Sequence, residues 1–181
     1  MRTNAMHGLI LLVTVTLAAC SDLDGTSPRR GKAAVSSNAR VQTEIDAKTH
    51  RFTAECQTTF SPPPLPLPPV QHQVDDGSCH FVPFGPMQFR SIQDIDFAAH
   101  TQSGTQTYTA RNGDQIFAVH SGTSAPAGPG LIAFSATMTI VGGTGRFANA
   151  SGFATVAGRA NVMTNTSTSS VSGWIALTNP E

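Results

Sequence analysis

Eight titratable residues lie in or beside segments that the sequence predicts to be β-strands, and they are the first candidates for chemistry. They are Glu55, Arg90, Asp94, Asp96, His100, His120, Arg146 and Arg159. Acidic and basic groups that meet in one pocket can transfer protons. Their spacing along the chain does not show that any two of them converge. We therefore expect each to be a solvent-facing strand residue or part of a surface ion pair, and His120 to be a hydrogen-bonded structural histidine.

A glycine-rich stretch, residues 140–152, is the most organised part of the sequence. Gly142, Gly143 and Gly145 fall within four residues and are followed by Arg146. A phosphate-binding glycine loop opens a helix, whereas this stretch continues into β-like sequence, so we expect no nucleotide there. The pattern predicts a structural corner between two strands, with at least one glycine at positive φ and Arg146 bonded to carbonyls freed at the corner. The chain also lacks nucleophile-elbow, metal-helix and haem motifs, and we expect no cofactor and no metal.

The three cysteines divide into one near the N-terminus and a pair further along. Cys56 and Cys79 are predicted to form a disulfide in an oxidising compartment, closing the base of a proline-rich loop. The alternative is a metal site that adds His72 and His80 to the two cysteines. Its spacing matches no standard zinc pattern, so we favour the disulfide.

Cys20 ends an N-terminal apolar segment that is typical of a signal peptide. The run at residues 9–19 is too short to span a bilayer, and small residues stand immediately before the cysteine. This arrangement resembles the lipobox of bacterial lipoproteins, so residues 1–19 are predicted to be removed and Cys20 to be lipidated. Ser21, where Asp would be the retention signal, favours the outer membrane. The alternatives are an ordinary signal peptide with a fortuitous cysteine, or a buried core segment.

The remaining chain divides by composition into a tether and one domain. Residues 20–48 are predicted to form a lipidated, disordered tether, and residues 49–181 a single domain. Residues 61–69 are mostly proline and cannot continue a strand; we favour a stiff surface loop over a segment that docks in a partner's aromatic groove. Basic and acidic residues number 11 each, so no basic field is present for nucleic acid.

Alternating apolar and polar residues predict an all-β domain. Residues 131–141 give the clearest pattern, with one face made of Ile132, Phe134, Ala136, Met138 and Ile140. Further strands are predicted at 52–60, 79–82, 87–92, 95–99, 102–111, 114–122, 152–162 and 169–177. Turns are expected at 75–77, at Asn112-Gly113 as type I′, and at 164–168, and a loop at 124–130. About eight strands with short connections favour a small antiparallel β-barrel, because closure removes exposed edges.

The sequence IVGGTGRFANASG at residues 140–152 resembles the signature of the allene oxide cyclase barrel-like superfamily, which includes the dirigent proteins. FGPMQFRS, TYTARNGDQIFAV and VSGWIAL follow the order seen in such barrels, over residues 84–177. The resemblance implies the barrel fold. The plant enzymes' catalytic residues have no counterparts that can be placed in this sequence.

Two functions follow from these observations. The first is a non-enzymatic, membrane-anchored envelope lipoprotein whose barrel binds a small apolar ligand or an envelope partner. The second is a cyclase-like or dirigent-like catalyst that orients a reactive substrate in the barrel cavity, as the resemblance implies. A catalyst should place polar residues together at inward positions, and the 131–141 strand shows only apolar ones, which favours the first. Tyr108 and Trp174 are expected to be packing or rim residues.

Overall fold

The computed structural model describes residues 47–64, 66 and 68–178. The predicted signal peptide, Cys20 and nearly all of the predicted tether lie outside the described residues. Within the described part of the chain, none of the helical structure is long and apolar enough to cross a membrane.

Eight antiparallel strands form one closed barrel, in which each strand pairs with the next along the chain and the last pairs with the first. The strands are β1 Ala47–Phe60, β2 Val70–Val82, β3 Gly85–Asp96, β4 Thr101–Ala110, β5 Gln115–Gly128, β6 Leu131–Gly143, β7 Ser151–Asn161 and β8 Thr166–Thr178. The prediction of an all-β barrel of about eight strands is confirmed. Because every strand has two neighbours, no strand edge is left unpaired.

The strand order gives the barrel two different ends. The connections β1–β2, β3–β4, β5–β6 and β7–β8 lie at one end, which we call the cavity end. The connections β2–β3, β4–β5 and β6–β7 lie at the other, the plugged end, together with the start of β1 and the end of β8. Side chains alternate between the interior and the outer surface along every strand.

Apolar side chains fill the interior toward the plugged end. The largest fully buried ones include Tyr108, Phe147, Met87, Ile116, Met138 and Ile175. Tyr108 packs edge-on against Phe81 at 5.0 Å between ring centroids and lies tilted against Phe89 at 5.2 Å. Burial of this area is the main favourable contribution to folding.

The glycine-rich stretch closes the plugged end. A single 3-10 turn, Gly145–Phe147, places the Phe147 ring in the barrel interior, where it is fully buried. The stretch is joined to the start of β5 because Thr144 N donates to Gln115 O at 2.8 Å and Gln115 N donates to Thr144 Oγ1 at 2.9 Å. The stretch is therefore a cap held by hydrogen bonds to a neighbouring strand.

Two strands are longer and more regular than the sequence indicates. The predicted turn at residues 75–77 is wrong, because β2 runs through it: Asp75 faces inward, Asp76 faces outward, and Gly77 lies close against the backbone of Thr58. The strand predicted at 87–92 and the first two residues of the one predicted at 95–99 belong to one strand, β3, whose polar Gln93 faces the interior, whereas residues 97–99 are turn and not strand. In both cases inward-facing polar residues were taken for breaks in the strand.

The hairpins at the two ends of β5 also differ from expectation. The predicted loop at 124–130 is mostly strand, since β5 continues to Gly128, with a register irregularity beside Pro126. The hairpin at Asn112-Gly113 is present, but it is not type I′, because only Gly113 has positive φ, +90°. Asn112 instead accepts a hydrogen bond from Asp114 N through its side chain, which stabilises the turn without a left-handed residue at position 112.

Candidate functional site

A cavity of about 320 Å³ occupies the interior of the barrel toward the cavity end. This volume is at the lower end of the range for small-molecule sites in proteins. Every strand contributes to its lining, as do Pro63 from the proline-rich loop and Phe97 from the β3–β4 connection. Phe97 N donates to Pro69 O at 3.1 Å, so the two connections are joined beside the cavity.

The cavity has one polar side and one apolar side. Most of the polar lining comes from β2 to β5, although β3 also contributes Phe89 and Ile95; the polar side chains of these strands are Gln71, Gln73, Asp75, Ser91, Gln93, Gln102, Gln106 and His120. The apolar side comes from β6, β7 and the residue that follows β7, and consists of Ile132, Phe134, Ala136, Val156, Ala160 and Val162. Such a lining suits an amphipathic molecule better than a wholly apolar one.

Asp75 is the acidic group of this wall, and its side chain is held by two amides. Gln73 Nε2 donates to Oδ1 at 2.7 Å and Gln93 Nε2 donates to Oδ2 at 2.6 Å. Asp75 is only 8% exposed, and burial raises the pKa of its carboxyl to about 6, although the two hydrogen bonds oppose the rise. The carboxyl therefore changes charge within the physiological pH range.

His120 lies at the other end of the same hydrogen-bond chain. Its Nε2 is 3.2 Å from Gln93 Oε1, and because that amide already donates its N–H to Asp75, the oxygen must accept from His120. This assigns the Nε2–H tautomer and leaves Nδ1 as a buried nitrogen without a hydrogen-bond partner among the described residues. Burial lowers the pKa of His120, so the ring is neutral at neutral pH.

A glycine between the two residues makes their contact possible. Gly104 on β4 is the register partner of both Gln93 on β3 and His120 on β5. A Cβ at this position would be 2.8 Å from the Gln93 Cβ, which is closer than side chains approach. The missing side chain at Gly104 thus leaves the space in which Gln93 and His120 meet across the intervening strand.

Of the eight titratable candidates from the sequence, only His120 reaches the cavity. Glu55, Arg90, Asp94, His100 and Arg159 are exposed, and Asp96 binds the backbone amides of Ala98 and Ala99. Glu55 accepts from Ser170, Arg90 pairs with Asp76 at 3.5 Å, and Asp94 contacts His72 at 2.9 Å. The other seven residues therefore do not meet in the cavity, while His120 lines it and is hydrogen-bonded to Gln93.

The corner residues lie at the plugged end, far along the barrel from the cavity lining. Gly142 and Gly145 have positive φ, +152° and +54°, whereas Gly143 is needed because a Cβ there would collide with the backbone of Gln115 and Phe147. Arg146 lies over the Phe147 ring at 4.7 Å and 3.8 Å from Asp114 Oδ2. The carbonyl that it contacts, at 3.5 Å, is that of Phe84 in the β2–β3 connection and not one of the corner's own.

The disulfide prediction is confirmed: Cys56 and Cys79 are bonded and lie directly opposite each other on β1 and β2. Both are buried in the barrel interior. The bridge therefore fixes β1 to β2 within the core rather than at the base of the proline-rich loop. The alternative metal site is excluded because its thiols are consumed, and His72 and His80 face outward.

Sequence reasoning missed the polar wall of the cavity, above all Asp75, Gln93 and Gln106. A usable signal was present on β2. A disulfide in the core requires Cys79 to face the barrel interior. Because successive side chains of a strand point to opposite faces, residues 71, 73 and 75 face the interior as well. The predicted turn at 75–77 hid this alternation.

No protein-family model matches the sequence, and no curated protein matches it. Among solved structures, the chain is similar to the structure of the pterocarpan synthase dirigent protein GePTS1. The TM-score is 0.51 at 13% sequence identity, and the match covers 76% of this chain and 89% of that chain. At this identity the likeness is one of fold.

Fold and cavity together define a class: a closed, eight-stranded antiparallel barrel with a cavity in its interior. More particularly, the barrel is similar in fold to a dirigent protein, as the resemblance of residues 140–152 predicts.

Proposed function

We propose that this protein is an extracytoplasmic lipoprotein whose barrel binds a small amphipathic molecule. The observation that carries the proposal is the two-sided cavity, in which amides, Asp75 and His120 face apolar side chains of β6 and β7. The ligand's polar end lies against β2 to β5 and its apolar part against Phe134 and its neighbours. The sequence led us to expect a small apolar ligand; the polar side chains of the cavity favour a ligand that also has a polar group.

The membrane anchor in this proposal is the lipid on Cys20, and the compartment is the bacterial cell envelope, at the outer membrane. Support comes from the lipobox-like residues 17–20, from Ser21, and from the Cys56–Cys79 bond, since disulfides persist in oxidising compartments. A protein held at the envelope with a binding cavity can retain or carry a molecule there without transforming it.

Native mass spectrometry of the protein isolated from its own envelope tests the binding role. We expect an added mass on the wild-type protein that is absent from Ala160→Trp, because Ala160 lines the cavity and an indole there would fill it. The matched control is Ala157→Trp, which places the same side chain on the outer face of β7, where Ala157 is exposed. An added mass that persists in Ala160→Trp would place the ligand outside the cavity and contradict the proposal.

A second candidate function, catalysis in the cavity, is favoured by one observation. Asp75, with a pKa raised to about 6, is linked through Gln93 to His120, whose pKa is lowered by burial, and pairs of titratable groups with shifted pKa values are typical of acid–base sites. The convergent polar residues that the 131–141 strand lacks are thus present on the opposite wall.

Comparing the bound molecules of two proteins separates the candidates. If the protein only binds, Asp75→Asn releases on denaturation either the same molecule as the wild type or none. If it is a catalyst, Asp75→Asn accumulates an unconverted substrate whose mass differs from that of the wild-type molecule.

A further inference from the structure

Asp75 is a buried carboxylate for which the described cavity lining provides no cation. None of the lining residues is Lys or Arg, and the only other titratable group among them, His120, is neutral at neutral pH. The nearest charge on its own strand is Asp76, which faces outward, pairs with Arg90 and also raises the pKa of Asp75. Buried charges in proteins are normally paired, because removing a carboxylate from water is costly.

The two amides that hold Asp75 do not complete its hydrogen bonding. Each carboxylate oxygen accepts one N–H, from Gln73 or Gln93, while an ionised carboxylate can accept about four. The free lone pairs belong to a group that lines a cavity of about 320 Å³. The site therefore combines negative charge, unfilled acceptor capacity and room for a guest.

We propose that the cavity takes an organic monocation, a protonated amine whose nitrogen pairs with the Asp75 carboxylate and whose apolar body lies against β6 and β7. This deepens the proposed function and rests on it. A compact ammonium group supplies the donors that the carboxylate lacks. Phe60, the register partner of Asp75 on β1, also lines the cavity, so its ring is placed beside the cation.

The rest of the lining favours an organic cation over a metal ion. Hard metal ions require several oxygen ligands, usually with more than one carboxylate. Within the described part of the chain no three His, Cys, Asp or Glu side chains come together to hold a metal. The apolar side, with Phe134 and Val156, matches a hydrocarbon body instead.

Calorimetric titration of the full chain with a matched pair of probes tests this assignment. The probes are 2-phenylethylamine, which is a cation at pH 8, and 2-phenylethanol, which has the same body but no charge. We expect the wild-type protein to bind the amine at least tenfold more tightly than the alcohol at pH 8. At pH 5, where Asp75 is protonated, the amine's advantage should fall at least threefold while the alcohol's affinity stays unchanged.

Two variants locate the effect. Asp75→Asn removes the charge and keeps the shape, so the preference for the amine should disappear. Asp94→Asn removes an exposed carboxylate from the outside of β3 and should leave the preference intact. Thermal unfolding of both variants confirms that they are folded.

Three results would overturn the inference. Equal binding of amine and alcohol by the wild type rejects the cation and leaves a small-molecule cavity standing. A preference for the amine that survives in Asp75→Asn places the cation elsewhere. If neither probe binds at millimolar concentration to the wild type or to Asp75→Asn, the cavity does not take small molecules of this size, and the proposed function fails together with the inference.

Discussion

Asp75 lines the cavity at a cost to the stability of the folded state. Its carboxyl is buried among amides, with a pKa raised from 3.8 to about 6. Between these values the folded chain binds more protons than the unfolded chain. The stabilising contribution of the protonated group is therefore complete below about pH 4 and is lost as the pH rises through about 6. A protein that needed only stability would not retain an acid there.

Replacing Asp75 by Asn should stabilise the protein at pH 8 and have little effect at pH 4. We expect the free energy of unfolding to rise at pH 8 by about 1 to 3 kcal/mol, since each pKa unit corresponds to about 1.4 kcal/mol and the neutral amide is not penalised by burial. Urea unfolding of the wild type and the variant at pH 4 and pH 8 measures this change in the free energy of unfolding.

Asp94→Asn, at an exposed site, is the control and should change stability by less than about 0.5 kcal/mol at either pH. If Asp75→Asn raises the free energy of unfolding equally at pH 4 and pH 8, the amide packs better than the carboxyl and the titration of Asp75 plays no part.

Gly143 is a second residue at which the backbone leaves no room for a side chain. A Cβ there would lie 2.7 Å from the Phe147 Cβ and would also meet the Gln115 carbonyl, which accepts the Thr144 amide. The side chain is excluded by this close approach and not by positive φ. Substitution must therefore move the cap away from β5.

Gly143→Ala should lower the free energy of unfolding by about 1 to 3 kcal/mol, because it separates the cap from β5 and loosens the packing of Phe147. Chemical denaturation measures the loss. Val141→Ala, at an exposed position on the same strand, is expected to change stability by less than about 0.5 kcal/mol. Equal effects of the two substitutions would mean that the corner tolerates a side chain and that its close approach to β5 is not needed for stability.

At the scale of the elements, β1 and β2 are held together in two ways. Their ladder pairs residues from Thr53 with Val82 to Phe60 with Asp75, and the disulfide joins Cys56 to Cys79 within it. The proline-rich connection between them cannot form a tight turn. The bridge stabilises the pairing instead, because it reduces the conformational entropy of the unfolded chain. In the loop-entropy description, a bridge across 23 residues contributes about 3 kcal/mol.

The double variant Cys56→Ala, Cys79→Ala should therefore be less stable than the wild type by about 3 kcal/mol in urea unfolding. A reducing agent should destabilise the wild type by a similar amount and leave the double variant unchanged. If the reducing agent affects both proteins equally, its effect does not come from this bridge.

The strands also show how much of the barrel and its cavity can be predicted from the sequence. β6 alternates strictly, and its inward face of Ile132, Phe134, Ala136, Met138 and Ile140 was predicted correctly because that wall is apolar along its whole length. On β2 near the cavity, the usual arrangement of apolar side chains inside and polar side chains outside is reversed. Val70 is half exposed on the outer surface, while Gln71 is buried in the interior. A cavity lets polar side chains face inward, so hydrophobic alternation cannot identify the strand there.

The contact between Gln93 and His120 could not be predicted from local sequence at all. It depends on register across three strands, with Gly104 between the two side chains. Register comes from the closure of the whole barrel, and no short motif in β3, β4 or β5 encodes it.

At the scale of the whole molecule, the barrel separates its packed core from its cavity along its axis. The plugged end contains the aromatic core, the cap and Arg146, while the cavity end contains the polar wall and the proline-rich connection. β1 begins at Ala47 on the plugged end, so the chain that leads back to Cys20 joins the barrel at the end opposite the cavity.

Changing Cys20 to Ala should move the protein out of the membrane fraction without affecting the barrel. The strand ladder is formed by residues 47–178, so the thermal unfolding of the variant should match that of the wild type. Because a lipoprotein anchor has two or three acyl chains, its loss should change partitioning almost completely, whereas a single chain would bind only marginally. Fractionation of the bacterial envelope followed by immunoblotting measures the distribution.

Ser21→Asp provides the matched control, since it keeps Cys20 and alters only the proposed sorting residue. This variant should remain in the membrane but shift from the outer to the inner membrane on a density gradient. If Cys20→Ala stays wholly with the membrane, the anchor is not a lipid on Cys20. If Ser21→Asp leaves the distribution between the two membranes unchanged, the outer-membrane assignment fails while lipidation stands, because the two substitutions test separate steps of the same route.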